Sequence, residues 1–216
     1  MKKLYSLIMV FALLVTFAAC GNKTNNNSFS SASQQPSTPN SAAAEESSDT
    51  SAPAETGSES LVVYFSWSGN TENVAKSIQS QTNSDIFEIV PVIPYSDDYD
   101  TVLDLAQEEQ KNNARPEISG SIESLEQYDV IYVGFPNWWG DMPMILYTFF
   151  DTYDLSGKTV ALFCTSGGSG LSNTVREVKT LEPNATVTDG LHIRDNAADN
   201  PESAVSEWLK DIGHDK

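Results

Sequence analysis

The sequence predicts an α/β domain built as a three-layer, doubly wound sheet of five parallel strands with helices on both faces. Two observations carry this. Across residues 60–216, short strand-like runs rich in Val, Ile, Leu and aromatic residues alternate with longer amphipathic stretches, the pattern of parallel strands joined by crossover helices. In addition, the segments richest in glycine, hydroxyl groups and tryptophan fall directly after such runs, at the sheet edge where doubly wound folds hold their ligands.

Strands are expected at Leu61–Phe65, Ile86–Val90, Val130–Phe135, Thr159–Cys164 and Thr186–Leu191. Helices are expected at Glu72–Ser80, Tyr99–Asn113, Pro143–Thr152, Leu171–Leu181 and Pro201–Ile212. The last opens with proline at a favourable early position, behind Asn200 as its cap. The helix beginning at Tyr99 carries acidic residues early and is stopped by Arg115-Pro116. It reads as a solvated cover for the sheet, with Tyr95 and Tyr99 as candidates for lining a pocket.

The first 59 residues have a different character. Lys2-Lys3, the apolar run from Leu4 to Phe17 and Ala18-Ala19 before Cys20 have the layout of a secretory signal over residues 1–19. The small residues before the cysteine resemble a bacterial lipobox, with Phe17 standing where leucine is usual, and the resemblance implies that Cys20 becomes a lipidated first residue. From Gly21 to Glu59 the chain is Asn, Ser, Ala, Thr, Pro, Gln and Glu with almost no large apolar residue, so residues 20–59 read as a lipidated cysteine and a disordered tether. Residues 60–216 are enough for one domain with a full core. The expected place is the outer side of a bacterial cytoplasmic membrane, touched through the lipid anchor alone.

With 30 acidic against 12 basic residues the formal charge is −18, and losing Lys2 and Lys3 makes the mature chain more acidic still. That disfavours nucleic acid as a partner. If Cys20 is acylated, Cys164 stands alone and no internal disulfide forms. His192 and His214 are far apart with no Cys/His cluster, so no metal is expected.

Ser66-Trp67-Ser68-Gly69-Asn70-Thr71 lies between the first strand and the first helix. A strand turning sharply into a helix offers unpaired N–H groups and the positive end of the helix dipole to an anion. Ser66, Ser68 and Thr71 add hydroxyl donors, Gly69 permits close backbone approach, and Asn70 tolerates turn geometry and serves as a helix cap. No lysine stands in the loop, so a triphosphate P-loop is excluded and a single terminal phosphate is the expected ligand group. With the two loops described next, this segment resembles the flavodoxin-like family, in which Ser/Thr-x-Ser/Thr-Gly-Asn-Thr holds the phosphate of FMN. The resemblance covers about Ser60 to Gly213 and implies a flavodoxin-like fold with FMN as cofactor.

The second loop contains Pro136-Asn137-Trp138-Trp139-Gly140. Adjacent tryptophans offer large faces that gain most under another flat ring, and an isoalloxazine would serve. Consecutive residues in an extended loop point opposite ways, so one tryptophan is expected to stack on the flavin while the other packs on protein or rims the pocket. The residues leave open which does which. Gly140 gives a peptide group the freedom to lie near the reactive edge of the ring. Pro-Asn-Trp-Trp-Gly also resembles a motif of one flavodoxin-like lipoprotein subgroup.

The third loop, Cys164 to Gly170, matches by motif the family loop whose backbone bonds the pyrimidine side of the flavin, through Thr165, Ser166, Gly167 and Gly168. A nucleophile elbow is excluded because Gly167-Gly168-Ser169-Gly170-Leu171 breaks the pattern at its last position. Cys164, at a strand end with no histidine near in sequence, reads as a small buried hydrophobe. No catalytic side chain is assigned, because the flavin carries the electrons and the protein sets potential and access. Surplus carboxylates disfavour a reduced flavin anion and lower its potential.

The leading expectation is an FMN electron carrier outside the membrane, working with a redox protein or a quinone. An FMN-dependent NAD(P)H or quinone oxidoreductase stands beside it, and so does a flavin-free surface binding module.

Overall fold

The computed structural model describes residues 59–214. The expected signal over 1–19, Cys20 and the tether as far as residue 58 lie outside the described residues. The elements run β1 (Glu59–Tyr64), α1 (Asn70–Thr82), β2 (Asp85–Glu88), β3 (Val90–Pro91), α2 (Tyr99–Asn112), β4 (Ile118–Ser119), β5 (Tyr128–Pro136), α3 (Met144–Thr152), β6 (Thr159–Ser166), α4 (Thr174–Leu181), β7 (Thr186–Val187), β8 (Leu191–Arg194) and α5 (Glu202–Asp211).

The main sheet is parallel throughout, in the order β2-β1-β5-β6, with β7 and β8 sharing the outer edge of β6. Five strand positions therefore stand in a doubly wound order, as the sequence predicts. The fifth position is broken where the sequence predicts one strand at Thr186–Leu191. Val160 faces Val187 and Phe163 faces Leu191, so Thr188 to Gly190 span the interval that Ala161 and Leu162 span opposite, a bulge of one residue. The bulge brings the chain against its neighbours at Gly190, where a Cβ would lie 2.6 Å from Leu171 Cδ1 and 3.0 Å from the Leu162 carbonyl oxygen.

The side-chain period of two sorts each central strand between two cores. Leu61, Val63, Ile131, Val133, Phe135, Val160, Leu162 and Cys164 face one side and pack with Ile145, Leu146 and Phe149 of α3 and Val178 of α4. Val62, Tyr64, Val130, Tyr132, Ala161 and Phe163 face the other and meet Val74 and Ile78 of α1 and Val205, Trp208 and Leu209 of α5. Gly134 belongs to this second face. The Phe163 ring fills the space where a Cβ would sit, with its Cζ only 2.1 Å from that position.

The sequence predicts a second strand through Val90, whereas β2 leaves the sheet after Glu88. Pro91 has no N–H to donate to a ladder, and Val90-Pro91 instead pairs antiparallel with Ile118-Ser119 in a small separate sheet. Helix starts also move. Gly69 takes the N-cap position of α1 at φ 89°, so Asn70 is the first helical residue and not the cap that the sequence predicts. α4 begins at Thr174 because Gly170 (φ 67°) and Ser172 (φ 51°) hold the preceding turn left-handed. Pro201 occupies the N-cap position of α5 with no side-chain cap, so Asn200 does not cap that helix; its N–H donates to the Ala197 carbonyl in the preceding turn. Among the described residues no helix is long and apolar enough to cross a membrane.

Candidate functional site

β1, β5 and β6 end at the same edge of the sheet, and the loops that follow them converge on a cavity of about 580 Å³. The first loop is closed by Ser66, whose Oγ accepts a bond from Gly69 N at 3.1 Å. With Gly69 left-handed and no side-chain cap, the N–H groups of Asn70, Thr71 and Glu72 at the head of α1 have no acceptor within the helix. The exposed Ser68 and the half-buried Asn70 stand beside them on the cavity wall. Anion-binding donors are thus grouped at one end of the cavity, where the helix dipole is positive.

Thr71 also has a partner within the protein. It is only 1 % exposed, and its Oγ1 lies 2.9 Å from Thr165 Oγ1 at the end of β6. The pair ties the first loop to the third. Trp67 lines the cavity, with Nε1 donating to the Ser96 carbonyl at 2.9 Å and its ring 6.1 Å from that of Tyr99.

The second loop is a tight reversal. Trp138 N donates to the Asp141 carbonyl at 2.8 Å and Asp141 N to the Trp138 carbonyl at 3.1 Å, with Trp139 (φ 53°) and Gly140 (φ 82°) as the two central residues. Two consecutive positive φ values define the turn type that Asn-Gly ordinarily fills, so a tryptophan in the first place is strained. This geometry separates the two indoles. Trp138 packs edge-on against Phe65 and Tyr95 at centroid distances of 5.5 and 5.1 Å, while Trp139 is 52 % exposed and donates from Nε1 to the Leu103 carbonyl at 3.0 Å. Asn137 locks the turn in place. Its Oδ1 accepts from Gly140 N at 3.0 Å, and its Nδ2 donates to the Gly170 carbonyl at 2.8 Å and to Ser172 Oγ at 3.1 Å.

In the third loop Ser166 Oγ accepts from the N–H groups of Gly168 and Gly170 at 3.3 and 3.2 Å and lies 2.9 Å from His192 Nε2. With both lone pairs of Ser166 taken, its own proton goes to the histidine. Gly167 stays open on the cavity, 3.8 Å from Asp195 Oδ2 as measured from a Cβ built there. Cys164 is fully buried, and that burial, with the Asp195 carboxylate second, pushes its thiol up to about 12. Such a thiol is not a nucleophile.

The sequence predicts α2 as a solvated cover, whereas it forms one wall of the cavity. Tyr99, Val102, Leu103 and Ala106 line it, and Gln110 Nε2 holds the Trp138 carbonyl at 2.8 Å. Tyr95 sits behind the wall. Its phenol donates to Glu109 Oε2 at 3.0 Å, and burial first, then the Glu109 charge, raises the Tyr95 pKa. Burial likewise raises the Glu109 carboxyl, opposed by the bond from Tyr95.

Of the residues singled out by sequence, Trp67, Ser68, Asn70, Pro136, Asn137, Trp138, Trp139, Gly140, Thr165, Ser166 and Gly167 come together on the cavity. Ser66, Gly69 and Thr71 support the first loop from behind, and Gly168 faces the Arg194 side chain. Val102, Leu103, Ala106 and Asp195 escape the sequence reading. The i, i+4 spacing of Val102 and Ala106, with Leu103 beside them, is the signal that marks an inward face on a mostly polar helix. Asp195 carries no signal.

A family model described as Flavodoxin matches residues 59–212. Flavodoxin 1 of Escherichia coli strain K12 is 33 % identical over 106 residues, which are 47 % of this chain and 46 % of that protein, so the match spans about half the length of the curated relative. A crystal structure from Bacteroides eggerthii, provisionally described as a flavoprotein, aligns at TM-score 0.65 with 32 % identity over 73 % of this chain and 99 % of that one. A flavoprotein of Lactobacillus acidophilus, solved in complex with FMN, aligns at TM-score 0.56 with 28 % identity over 68 % and 99 % of the two chains.

Proposed function

We propose that this chain, which belongs to the flavodoxin family, binds FMN in the three-loop cavity and transfers electrons outside the cytoplasmic membrane, held there by Cys20. The observation that carries this is the convergence of an uncapped helix start, three indoles and an open glycine backbone on one cavity. The donor set fits FMN. Ser68 and the N–H groups of Asn70, Thr71 and Glu72 would hold the phosphate, which has no competing lysine and needs none for a single terminal group. Trp139 would cover the ring, because Trp138 is held edge-on by Phe65 and Tyr95 in the cavity wall.

When bound, FMN supplies one- and two-electron transfer. The chain's own residues bind, orient and tune. Asn137 occupies the Gly140 N–H, leaving the Gly140 carbonyl, in the next peptide group, as the group that the turn can present. Gly167 offers unhindered backbone on the opposite side, and Asp195 places a carboxylate beside it that disfavours added negative charge. The extracytoplasmic place rests on the signal-like residues 1–19, the cysteine that follows and the polar tether.

A second reading has an observation of its own. Tyr99 is 61 % exposed and Trp139 52 %, leaving flat apolar surface open at the cavity mouth, as an oxidoreductase for a second flat molecule such as a quinone requires. The visible spectrum of the purified protein, followed by identification of the flavin released on heating, tests both against a flavin-free binding module. Yellow protein releasing FMN is expected. Colourless protein that takes up no added FMN would leave the binding module standing, and turnover of a quinone by the loaded protein would favour the reductase.

A further inference from the structure

Behind Trp138 lies a series of groups for which holding a flavin gives no task. Trp138 is on the cavity wall, the Tyr95 ring stands 5.1 Å from it at 87°, and the Tyr95 phenol donates to Glu109 Oε2 at 3.0 Å. Glu109 and Gln110 are neighbours on α2, and Gln110 holds the Trp138 carbonyl at 2.8 Å, so one helix fixes both ends of the series.

An indole packed on a phenol is ordinary core structure, and the carboxylate is what sets this pair apart. A phenol that loses an electron becomes a strong acid and keeps the oxidising equivalent only if its proton leaves. Here the acceptor is already within proton-transfer reach. The other tryptophan–tyrosine pair of the site, Trp67 with Tyr99, has no such acceptor: Tyr99 is 61 % exposed and has no carboxylate partner among the described residues. Trp139 has no aromatic neighbour behind it among the described ring contacts and ends at the Leu103 carbonyl.

We propose that Trp138, Tyr95 and Glu109 form a proton-coupled electron relay that draws an oxidising equivalent away from a light-excited flavin in the cavity; this rests on the FMN reading above. One electron passes from the Trp138 indole to the excited ring. Tyr95 then gives one electron to the oxidised indole, which is restored, and the Tyr95 phenolic proton passes to the Glu109 carboxylate. In the balance the flavin has gained one electron, Tyr95 has lost one electron and one proton, and Glu109 has gained the proton. Return of the electron reverses every step, so the flavin and the indole survive illumination unaltered. Half-burial of Glu109, which raises its carboxyl, makes it the better proton acceptor once ionised.

The test has two arms. In the first, the full-length protein stripped of flavin is oxidised by azide radicals from pulse radiolysis, which take electrons from indoles in preference to phenols. An indole radical signal should pass into a tyrosyl signal in a step independent of protein concentration, and slower in D2O. Tyr95→Phe should abolish that step, Glu109→Gln should slow it, and Tyr99→Phe should leave it unchanged, with far-UV circular dichroism checking each fold. The same decay in Tyr95→Phe as in wild type overturns the proposal, and so does a rate indifferent to both D2O and Glu109→Gln. The D2O comparison needs no variant. In the second arm, flash photolysis of the FMN-loaded protein should give a tyrosyl signal that depends on Tyr95. An indole signal that decays with no tyrosyl signal overturns the passage of the oxidising equivalent to Tyr95. If FMN does not bind while the first arm is positive, the functional reading and its flavin fail and the relay stands.

Discussion

The hydroxyls of Thr71 and Thr165 lie 2.9 Å apart, both buried, joining the head of α1 to the end of β6 across 94 residues of sequence. Two of the three loops of the site are therefore fastened to each other beneath the cavity, before any ligand is considered. Replacing either residue with alanine leaves its partner buried and unpaired, which costs about 1–3 kcal/mol. Urea unfolding of Thr71→Ala should show a loss of that size, and Thr71→Ala with Thr165→Ala together should cost less than the sum of the two single changes. Strict additivity would mean that the bond does not couple the loops.

Trp139 occupies a left-handed position that asparagine fills with less strain. Trp139→Asn should raise stability by about 1 kcal/mol, the relief of backbone strain outweighing the lost bond to the Leu103 carbonyl. The same change should weaken FMN binding and raise flavin fluorescence in part, with Trp138 still on the cavity to quench the rest. A less stable variant with unchanged flavin emission would remove Trp139 from the site.

Glu109 gives a pH dependence whose sign is set by burial. The folded state holds its proton more tightly than the unfolded chain does, so stability falls as pH rises from the ordinary carboxylate range through the raised one. Glu109→Gln stays neutral and still accepts the Tyr95 bond. Across that window the variant should gain stability relative to wild type, read as diverging urea midpoints, and parallel curves would contradict the raised carboxyl.

Cys20 lies outside the described residues, and its role is tested in cells. Wild-type protein should sediment with membranes, while Cys20→Ala should be released or remain uncleaved. Wild-type protein found wholly in the medium would end the lipid-anchor reading.

Much of this fold is legible in sequence because apolar runs and loop chemistry agree. Leu61–Phe65 and Val130–Phe135 announce central strands, and the three loops that follow strands meet where a doubly wound sheet places its ligand. What escapes has physical reasons. The expected alternation of Trp138 and Trp139 assumes extended backbone, and the positive φ of Trp139 turns the two indoles into quite different environments. The break after Val187 needs the Leu171 side chain and the Leu162 carbonyl to explain it, contacts between segments distant in sequence. α2 is polar along most of its length, so its role as a wall rests on Val102 and Ala106 and on a glutamine whose partner is 28 residues away. The bond between Thr71 and Thr165 joins residues 94 apart, and no local pattern announces it.

The head of α1 is proposed to hold the phosphate of a flavin in this cavity. Titration of the flavin-free protein with FMN and with riboflavin, followed by flavin fluorescence, tests it most directly. Hydrogen bonds to a charged group are worth about 1.5–3 kcal/mol each, so FMN should bind at least about tenfold more tightly than riboflavin, and Ser68→Ala should narrow that ratio. Equal affinity for the two flavins would mean that the head of α1 does not hold the phosphate.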